Sequence, residues 1–430
     1  MIEPKILKGF KDALPEEEYY RRYLINKIES ILQLSGYLPI DTPALEYKEI
    51  LLGKGGGETD KQVFLFKDKG EREVGLRYDL TVPLARFVAL HENEIVFPFK
   101  RYHIAKVWRG EKPQRGRFRE FYQADFDIIG IDSIETDLEI LTLIYNLLKN
   151  LQIQNITIKI NDRNLMHQIF EKLHIAEKEK EILIILDKYY KVEEEEIANS
   201  LRNLIGEKYK EILSLIKIAN ENKLFKYIKD NFSISDTRLE KIYEMIKRIN
   251  LSEIIKIDCT IARGLDYYTG IVFETFINDS IELGSVCSGG RYDNLTSTFS
   301  SSRYSGIGSS IGLDRLITYI VEKNLVRKTD FSKILIANLN SDDYFEYYKL
   351  LNELHEASIS CEIYLDSVKL KKQFKYAEDK NIPYILFLGE DEKLKNILKI
   401  KNIKTGEELI FQSISQAISY LKKPQNSTNF

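Results

Sequence analysis

Between residues 16 and 34 the apolar positions Tyr20, Tyr23, Leu24, Ile28, Ile31 and Leu32 recur three or four apart, the spacing of one helical face. Pro15 suits the first turn and Gly36 the stop, so the pattern predicts an amphipathic helix. Tyr37 to Pro43 then reads as extended and proline-bounded. From Val63 to Gly130 short apolar runs alternate with charged turns: Val63 to Phe66, Val74 to Tyr78, Ala105 to Trp108 and Phe121 to Ile129. No helix separates each pair, which predicts an antiparallel sheet instead of a Rossmann-type alternation. A helix is predicted at 133–150. Residues 163–250 are rich in Lys, Glu and Ile, hold Gly206 as their one glycine and are repeatedly helical. They read as an inserted module, because strands resume at Lys256. Residues 257–322 carry glycine-punctuated strands and a closing helix at 313–322. From Ile334 strands at 334–337, 361–365 and 384–388 alternate with helices at 342–356 and 368–380, a compact α/β domain starting near Thr329. The whole is an α+β chain with expected boundaries at 1–160, 161–255, 256–328 and 329–424, followed by a disordered tail at 425–430.

Composition narrows the class. The 430 residues are 43% hydrophobic, enough for two or three real cores, which excludes a disordered, collagenous or disulfide-stapled chain. Cys259, Cys287 and Cys361 are too far apart for a CxxC pair, so no structural metal and a reducing, cytoplasmic setting are expected. The start lacks a signal-peptide pattern and no apolar run reaches membrane-spanning length, so neither secretion nor membrane insertion is expected. A net charge of −3 argues against a purely electrostatic nucleic-acid binder. The average hides a pattern. Of 19 arginines among 63 basic residues, eight (Arg72, Arg77, Arg86, Arg101, Arg109, Arg115, Arg117 and Arg119) fall within 48 residues. Arginine is preferred over lysine where a planar fork must grip carboxylate or phosphate, so an anion site is expected in 72–119. Residues 331–430, in contrast, hold 14 Lys, no Arg and 14 acidic residues.

Four segments carry residue types that packing does not explain. In Leu76 to Pro83, Asp79 and Thr81 either bind an ammonium group or cap a helix. Between Trp108 and Asp127, the alternation Arg117, Arg119, Phe121, Gln123, Asp125, Asp127 places these side chains on one face of an extended segment, expected to be an exposed cleft wall. The segments 261–270 and 284–293 set glycines beside Arg263, Tyr267, Tyr268, Arg291 and Tyr292, allowing backbone and ligand to approach closely. In Gly306 to Leu316 a glycine-spaced strand enters a helix with Arg315 in its first turn, where the macrodipole disfavours a cation unless a ligand anion or ring is present. The Gly53 to Gly57 loop lacks the GK[ST] ending of a phosphate-binding P-loop.

These segments carry a resemblance. The hairpin Arg109 to Phe121 resembles motif 2 of the class II aminoacyl-tRNA synthetases, Gly306 to Arg315 resembles motif 3, and the stretch ending at Pro43 is similar to motif 1. Arg263-Gly264-Leu265-Asp266-Tyr267-Tyr268-Thr269-Gly270 and Gly289-Gly290-Arg291-Tyr292-Asp293 resemble the histidine-specific signatures of the histidyl-tRNA synthetase family. The likeness runs from Lys8-Gly9-Phe10-Lys11-Asp12 to a C-terminal domain similar to the family's anticodon-binding domain. Asp79 and Asp127 stand where many bacterial members carry Glu, while the loop Lys112 to Arg117 is of bacterial type.

The resemblance implies ATP-dependent ligation of L-histidine to tRNA(His) through a histidyl-adenylate, with ATP supplied as its Mg2+ complex. It implies that Arg109 and Arg263 hold the α-phosphate and carboxylate as the catalytic pair. Phe121 and Arg315 would sandwich adenine, with Glu111 receiving its amino group and Arg117 also binding ATP. Asp79, Thr81 and Gln123 would bind the histidine α-ammonium, with Leu80 also in the histidine site, and Asp127, Tyr267, Tyr268 and Tyr292 would meet the imidazole, whose donor and acceptor suit a carboxylate opposite a phenol. Lys112, Gln114 and Arg115 would contact the tRNA acceptor end. Motif 1 implies a homodimer. Two alternatives stay open here: a histidine-binding regulatory paralogue that charges no tRNA, and a class II synthetase for glycine, proline or threonine. The near-neutral C-terminal domain is read as an anticodon binder, with a purely stabilising role as its alternative.

Overall fold

The computed structural model describes residues 1–53, 61–113, 115–218, 221–261, 268–294, 296–300, 302–325 and 332–423. The chain divides into two compact units, Met1–Val326 and Arg327–Phe430.

The first unit opens with α1 (Pro15–Leu34). Pro15 and the acidic Glu16, Glu17 and Glu18 occupy its first turn, and its buried stripe is Tyr20, Leu24, Ile28 and Leu32. Then follow β1 (Leu38–Pro39), β2 (Leu45–Tyr47), α2 (Lys48–Leu52), β3 (Leu65–Lys67), β4 (Glu73–Leu76) and α3 (Thr81–Leu90). Two ten-residue strands, β5 (Phe99–Trp108) and β6 (Glu120–Ile129), form the long central hairpin, and α4 (Ile134–Asn150) and β7 (Ile156–Asp162) come next. Six helices fill the insertion: α5 (Arg163–Lys172), α6 (Glu179–Leu186), α7 (Glu194–Ile205), α8 (Tyr209–Lys217), α9 (Glu221–Phe232) and α10 (Arg238–Arg248). The sheet resumes with β8 (Ile255–Ile257), β9 (Ile271–Ile277), β10 (Cys287–Tyr292) and β11 (Gly306–Gly312), which runs straight into α11 (Leu313–Glu322).

Eight strands form one sheet in the order β1-β5-β6-β11-β10-β9-β7-β8, and β2, β4 and β3 make a small antiparallel sheet. The large sheet differs from the purely antiparallel expectation at its two ends, where β1 pairs with β5 and β7 with β8 in parallel. Both parallel partners arrive by long connections, the helical insertion in the case of β8. On β6 the even positions Ala124, Phe126 and Ile128 join Leu24, Ile28, Ile140, Ile144, Leu313 and Leu316 in the main core. Helices α1, α4 and α11 therefore cover one face of the sheet, and the odd positions of β6 face the other way.

The second unit is a five-stranded sheet in the order β13-β12-β14-β15-β16. Its elements are β12 (Ile334–Ile336), α12 (Tyr344–Glu356), β13 (Cys361–Ile363), α13 (Leu370–Asp379), β14 (Tyr384–Phe387), α14 (Glu390–Leu394), β15 (Leu398–Asn402), β16 (Glu408–Phe411) and α15 (Ile414–Lys422). β12, β13 and β14 are parallel, whereas the antiparallel β15 and β16 extend the sheet past the predicted alternation. Tyr347, Leu354, Ala417 and Leu421 pack α12 and α15 on one face, and Ala377 packs α13 on the other.

Candidate active site

The polar face of the large sheet is organised by register. Side chains of directly paired residues point the same way, so each rung of the ladder is a row across the site. One row runs Arg101, Asp127, Gly308, Gly290, Val272, Asn161 through β5, β6, β11, β10, β9 and β7. The next runs His103, Asp125, Ser310, Ser288, Glu274, Lys159 through the same strands. Gln123 and Gly312 pair one rung further on, toward the loop joining β5 and β6.

Glycine on β11 makes room for these rows. A Cβ on Gly308 would lie 1.9 Å from Asp127 Oδ1, and one on Gly306 would lie 2.3 Å from the Tyr292 ring. The glycine spacing of this strand is thus a packing requirement of the two groups opposite it. Tyr292 donates its hydroxyl proton to Asp127 Oδ1 at 2.6 Å, and Asp127 Oδ2 lies 2.5 Å from Arg101 Nη2. Tyr268 packs beside Tyr292 and Ala85. Arg291, next to Tyr292 on the opposite face, donates to Asp137 Oδ1 from Nη2 at 2.6 Å, and Asp137 also accepts from Arg238 of the insertion.

The face is not an exposed wall, as its polarity had implied. Gln123, Asp125 and Asp127 are 8%, 2% and 3% exposed, and Arg101 is fully buried. Burial pushes the carboxyls of Asp79, Asp125 and Asp127 upward, Asp125 to about 7, while Arg101 pulls all three back. Burial, then Arg101 and Arg77, pushes the His103 imidazole down to about 4, and its Nε2 donates to Asp41 at 2.9 Å. Asp79 fills the capping role that its sequence context allowed. Its Oδ1 accepts the Val82 N–H at 3.0 Å at the start of α3, and the carboxyl is buried on the site side with Leu80 and Thr81.

At the mouth, Arg109 donates from Nε to the Tyr78 carbonyl at 3.1 Å, with its guanidinium 4.4 Å from the Tyr78 ring and 5.1 Å from the Phe121 ring. Arg117 pairs with Glu111. Arg315 donates to the Ser285 carbonyl, while burial and the neighbouring Arg117 and Arg109 hold its pKa below the usual guanidinium value, adding to its unfavourable place in the first turn of α11. A cavity of about 100 Å³ joins Arg109, Arg117, Phe121, Gln123, Ser310 and Arg315. A second cavity, about 480 Å³, lies in the C-terminal unit among Tyr344, His355, Glu362, Tyr364, Asp366 and Tyr376.

Most arginines of the segment are engaged within the protein. Arg72 pairs with Asp68, Arg86 with Glu46 and Arg115 with Glu322, and Arg77 donates to the Lys106 and Thr42 carbonyls. Arg119 leaves the expected face, because its Nε and Nη1 donate to the carbonyls of Glu111 at 3.0 Å and Lys8 at 3.2 Å. It braces the N-terminal segment against the hairpin loop, where Gly9, at φ +89°, accepts the Arg119 N–H at 2.8 Å. Arg109, Arg117 and, from α11, Arg315 remain at the cavity. Lys112 is exposed in the loop. Gln114, Arg263, Tyr267 and residues 55–57 lie outside the described residues. Sequence reasoning gave no role to His103 or Ser310, counted Arg101 only among the arginines of the expected anion site and placed Asp125 only on the shared face of the strand. Arg101, His103 and Asp125 follow from the cross-strand register, and Asp125 also from its odd position on β6.

Three arginines around a cavity at the mouth, above buried carboxylates on one face of a mainly antiparallel sheet, mark the catalytic core of a class II aminoacyl-tRNA synthetase. The histidyl-tRNA synthetase model matches residues 9–316, and an anticodon binding domain model matches residues 333–424. The chain belongs to the histidyl-tRNA synthetase family, whose members are ligases. It is 43% identical to a histidine–tRNA ligase of Treponema denticola, covering 99% of each chain, and 41% identical to that of Clostridium tetani, covering 98% of this chain and 99% of the other. Among solved structures it is similar to histidyl-tRNA synthetase from Nostoc, with a TM-score of 0.86 and 28% identity over 98% of this chain and all of that one. An ATP phosphoribosyltransferase regulatory subunit/histidyl-tRNA synthetase from Bacillus halodurans shares the fold, with a TM-score of 0.72 at 24% identity over 87% of this chain and 97% of that one. Among the described residues no helix is long and apolar enough to cross a membrane.

Proposed function

We propose that this protein charges tRNA(His) in two steps: L-histidine attacks the α-phosphorus of MgATP to give histidyl-adenylate and pyrophosphate, and the histidyl group then passes to the terminal ribose, releasing AMP. The observation that carries this reading is the pairing of a cationic mouth with a buried acidic floor. Attack of one anion on another is limited by charge and positioning, and a fixed guanidinium addresses both. Arg109, held by the Tyr78 carbonyl and ring, would grip the carboxylate and α-phosphate, with Arg263 opposing it. Phe121 and Arg315 would hold adenine, with Glu111 accepting from its amino group and Arg117 balancing phosphate charge. Asp79, Thr81 and Gln123 would form the α-ammonium site, with Leu80 beside them in the histidine site, and Asp127, Tyr292, Tyr268 and Tyr267 the imidazole site. Asp127 already binds one phenol, Tyr292, which fixes a carboxylate where a ring N–H can reach it.

Residues 1–160 and 256–328 would act as the catalytic core, 161–255 as an insertion, and 329–424 as the anticodon domain, whose cavity of tyrosines, His355 and carboxylates suits an unstacked base. Lys112, Gln114 and Arg115 would meet the acceptor end. We read the working form as a cytoplasmic homodimer joined through the motif 1 edge, where Leu38 and Tyr47 are 59% and 47% exposed. Pyrophosphate exchange with each amino acid in turn tests the activity. Exchange with histidine alone is expected. Exchange with another amino acid would select a different synthetase, and none at all would select the regulatory paralogue.

A further inference from the structure

Asp125 is the deepest carboxyl of the site that none of the roles above employs. It sits between Gln123 and Asp127 on the ligand-facing side of β6, paired with His103 on one flank and Ser310 on the other. It is 2% exposed; Ser310 bonds its carboxyl, but its Oδ1 has no hydrogen-bond partner among the described residues. One step toward the mouth, Gln123 donates from Nε2 to Ser310 Oγ at 2.7 Å, which turns its Oε1 away, and that buried oxygen also has no partner among the described residues. Buried acceptors without donors are costly and uncommon in folded proteins. Here two of them stand on alternate residues of one strand.

The charges facing Asp125 come from every side. Asp127 and Asp79 oppose its ionisation, whereas Arg101, the Ser310 hydroxyl and the buried Arg77 favour it. The fully buried guanidinium of Arg101 is already engaged by Asp127, and that of Arg77 by the Lys106 and Thr42 carbonyls. His103 is held neutral and supplies no charge. Among the described residues, the Asp125 Oδ1 and Gln123 Oε1 acceptors are left short of N–H donors beside a crowd of three carboxyls. A primary ammonium has one charge and three N–H donors, and fits this shortfall better than a neutral imidazole does.

Resting on the placement of histidine in this site, we propose that Asp125 is a further amino-acid-binding residue, taking the α-ammonium of the substrate jointly with Asp79 and the Gln123 carbonyl. Asp127 and Tyr292 are then left to the ring. Recognition of the amine and recognition of the imidazole fall on neighbouring rungs of the same sheet.

The test uses the full-length protein and three ligands: histidine, histidinol, which keeps the amine and ring, and 3-(imidazol-4-yl)propionate, which lacks the amine. Their affinities are measured by titration calorimetry or by competition with histidine, with ATP affinity and melting temperature as controls. Asp125→Asn is expected to weaken histidine and histidinol by roughly 10- to 100-fold, the range for a lost charge-assisted hydrogen bond. The propionate and ATP should stay within about threefold. Asp125→Ser should repeat the pattern without an added amide. Equal losses for all three ligands would place Asp125 at the ring or in the scaffold, and no loss would remove it from the site; either result overturns the proposal. A wild-type protein that binds none of the three instead refutes the functional reading beneath it.

Discussion

Replacing Gly308 with alanine adds one methyl group against the Asp127 carboxyl. The new Cβ would lie 1.9 Å from Oδ1 and 2.3 Å from Cγ, whereas ordinary contact begins at 3.4 Å, so the carboxyl must retreat by about 1.5 Å. Oδ1 is the atom that receives the Tyr292 hydroxyl at 2.6 Å, and a retreat of that size breaks the bond. Overpacking costs about 1–3 kcal/mol, and losing a hydrogen bond to a charged group costs roughly 1.5–3 kcal/mol. A destabilisation of about 3 kcal/mol or more is expected in chemical denaturation. If Asp127 orients the imidazole, the same displacement should raise the KM for histidine by about 10- to 100-fold at 1.4 kcal/mol per decade. Phe121 and Arg315 are untouched, so the KM for ATP should change by less than about threefold. Histidine-dependent pyrophosphate exchange, titrated separately in each substrate, reads both constants. An unchanged denaturation midpoint with an unchanged histidine KM would show that the carboxyl moves freely and would refute the packing argument. Parallel rises in both constants would mean general damage and would sink the specific role.

Two further outcomes follow from burial. Asp125 has its carboxyl raised from 3.8 to about 7. A folded pKa above the unfolded one gives a stabilising contribution that is complete below pH 4 and is lost as pH rises toward 7. The stability of Asp125→Asn relative to wild type should therefore improve steadily from pH 4 to pH 7 in urea denaturation without ligand; parallel curves would contradict the burial assignment. Cys259, Cys287 and Cys361 are buried with thiols pushed up to about 12, so a thiol-reactive dye should label the native protein slowly and reach three thiols per chain only in denaturant.

Local patterns revealed what depends on neighbours in the chain. The stripe Tyr20, Leu24, Ile28, Leu32 is visible as a period, and α1 buries those residues. The alternation along β6 likewise shows which residues share a face. What local patterns lack is the identity of the residue across the ladder. Nothing near Arg101 announces that its rung carries Asp127, so an arginine that neutralises a buried carboxylate looked like one more gripper of external anions. The same deficit hid the burial of the polar face, because a row of Gln and Asp reads as solvent-exposed until another element is known to cover it. Strand direction at the sheet ends also escaped, since a parallel partner such as β8 arrives from about a hundred residues away.

Strand β6 places its core contacts on even positions and its polar site face on odd ones. Substrate preference and foldability are thereby written on opposite sides of a single stretch of chain. A lineage can exchange one odd-position side chain for another and retune the ligand without reopening the problem of packing Ala124, Phe126 and Ile128 against the helices. A one-residue insertion between Glu120 and Ile129 offers no such path. It would exchange the two sides, spoiling both at once, so descent can vary this strand by substitution far more readily than by length.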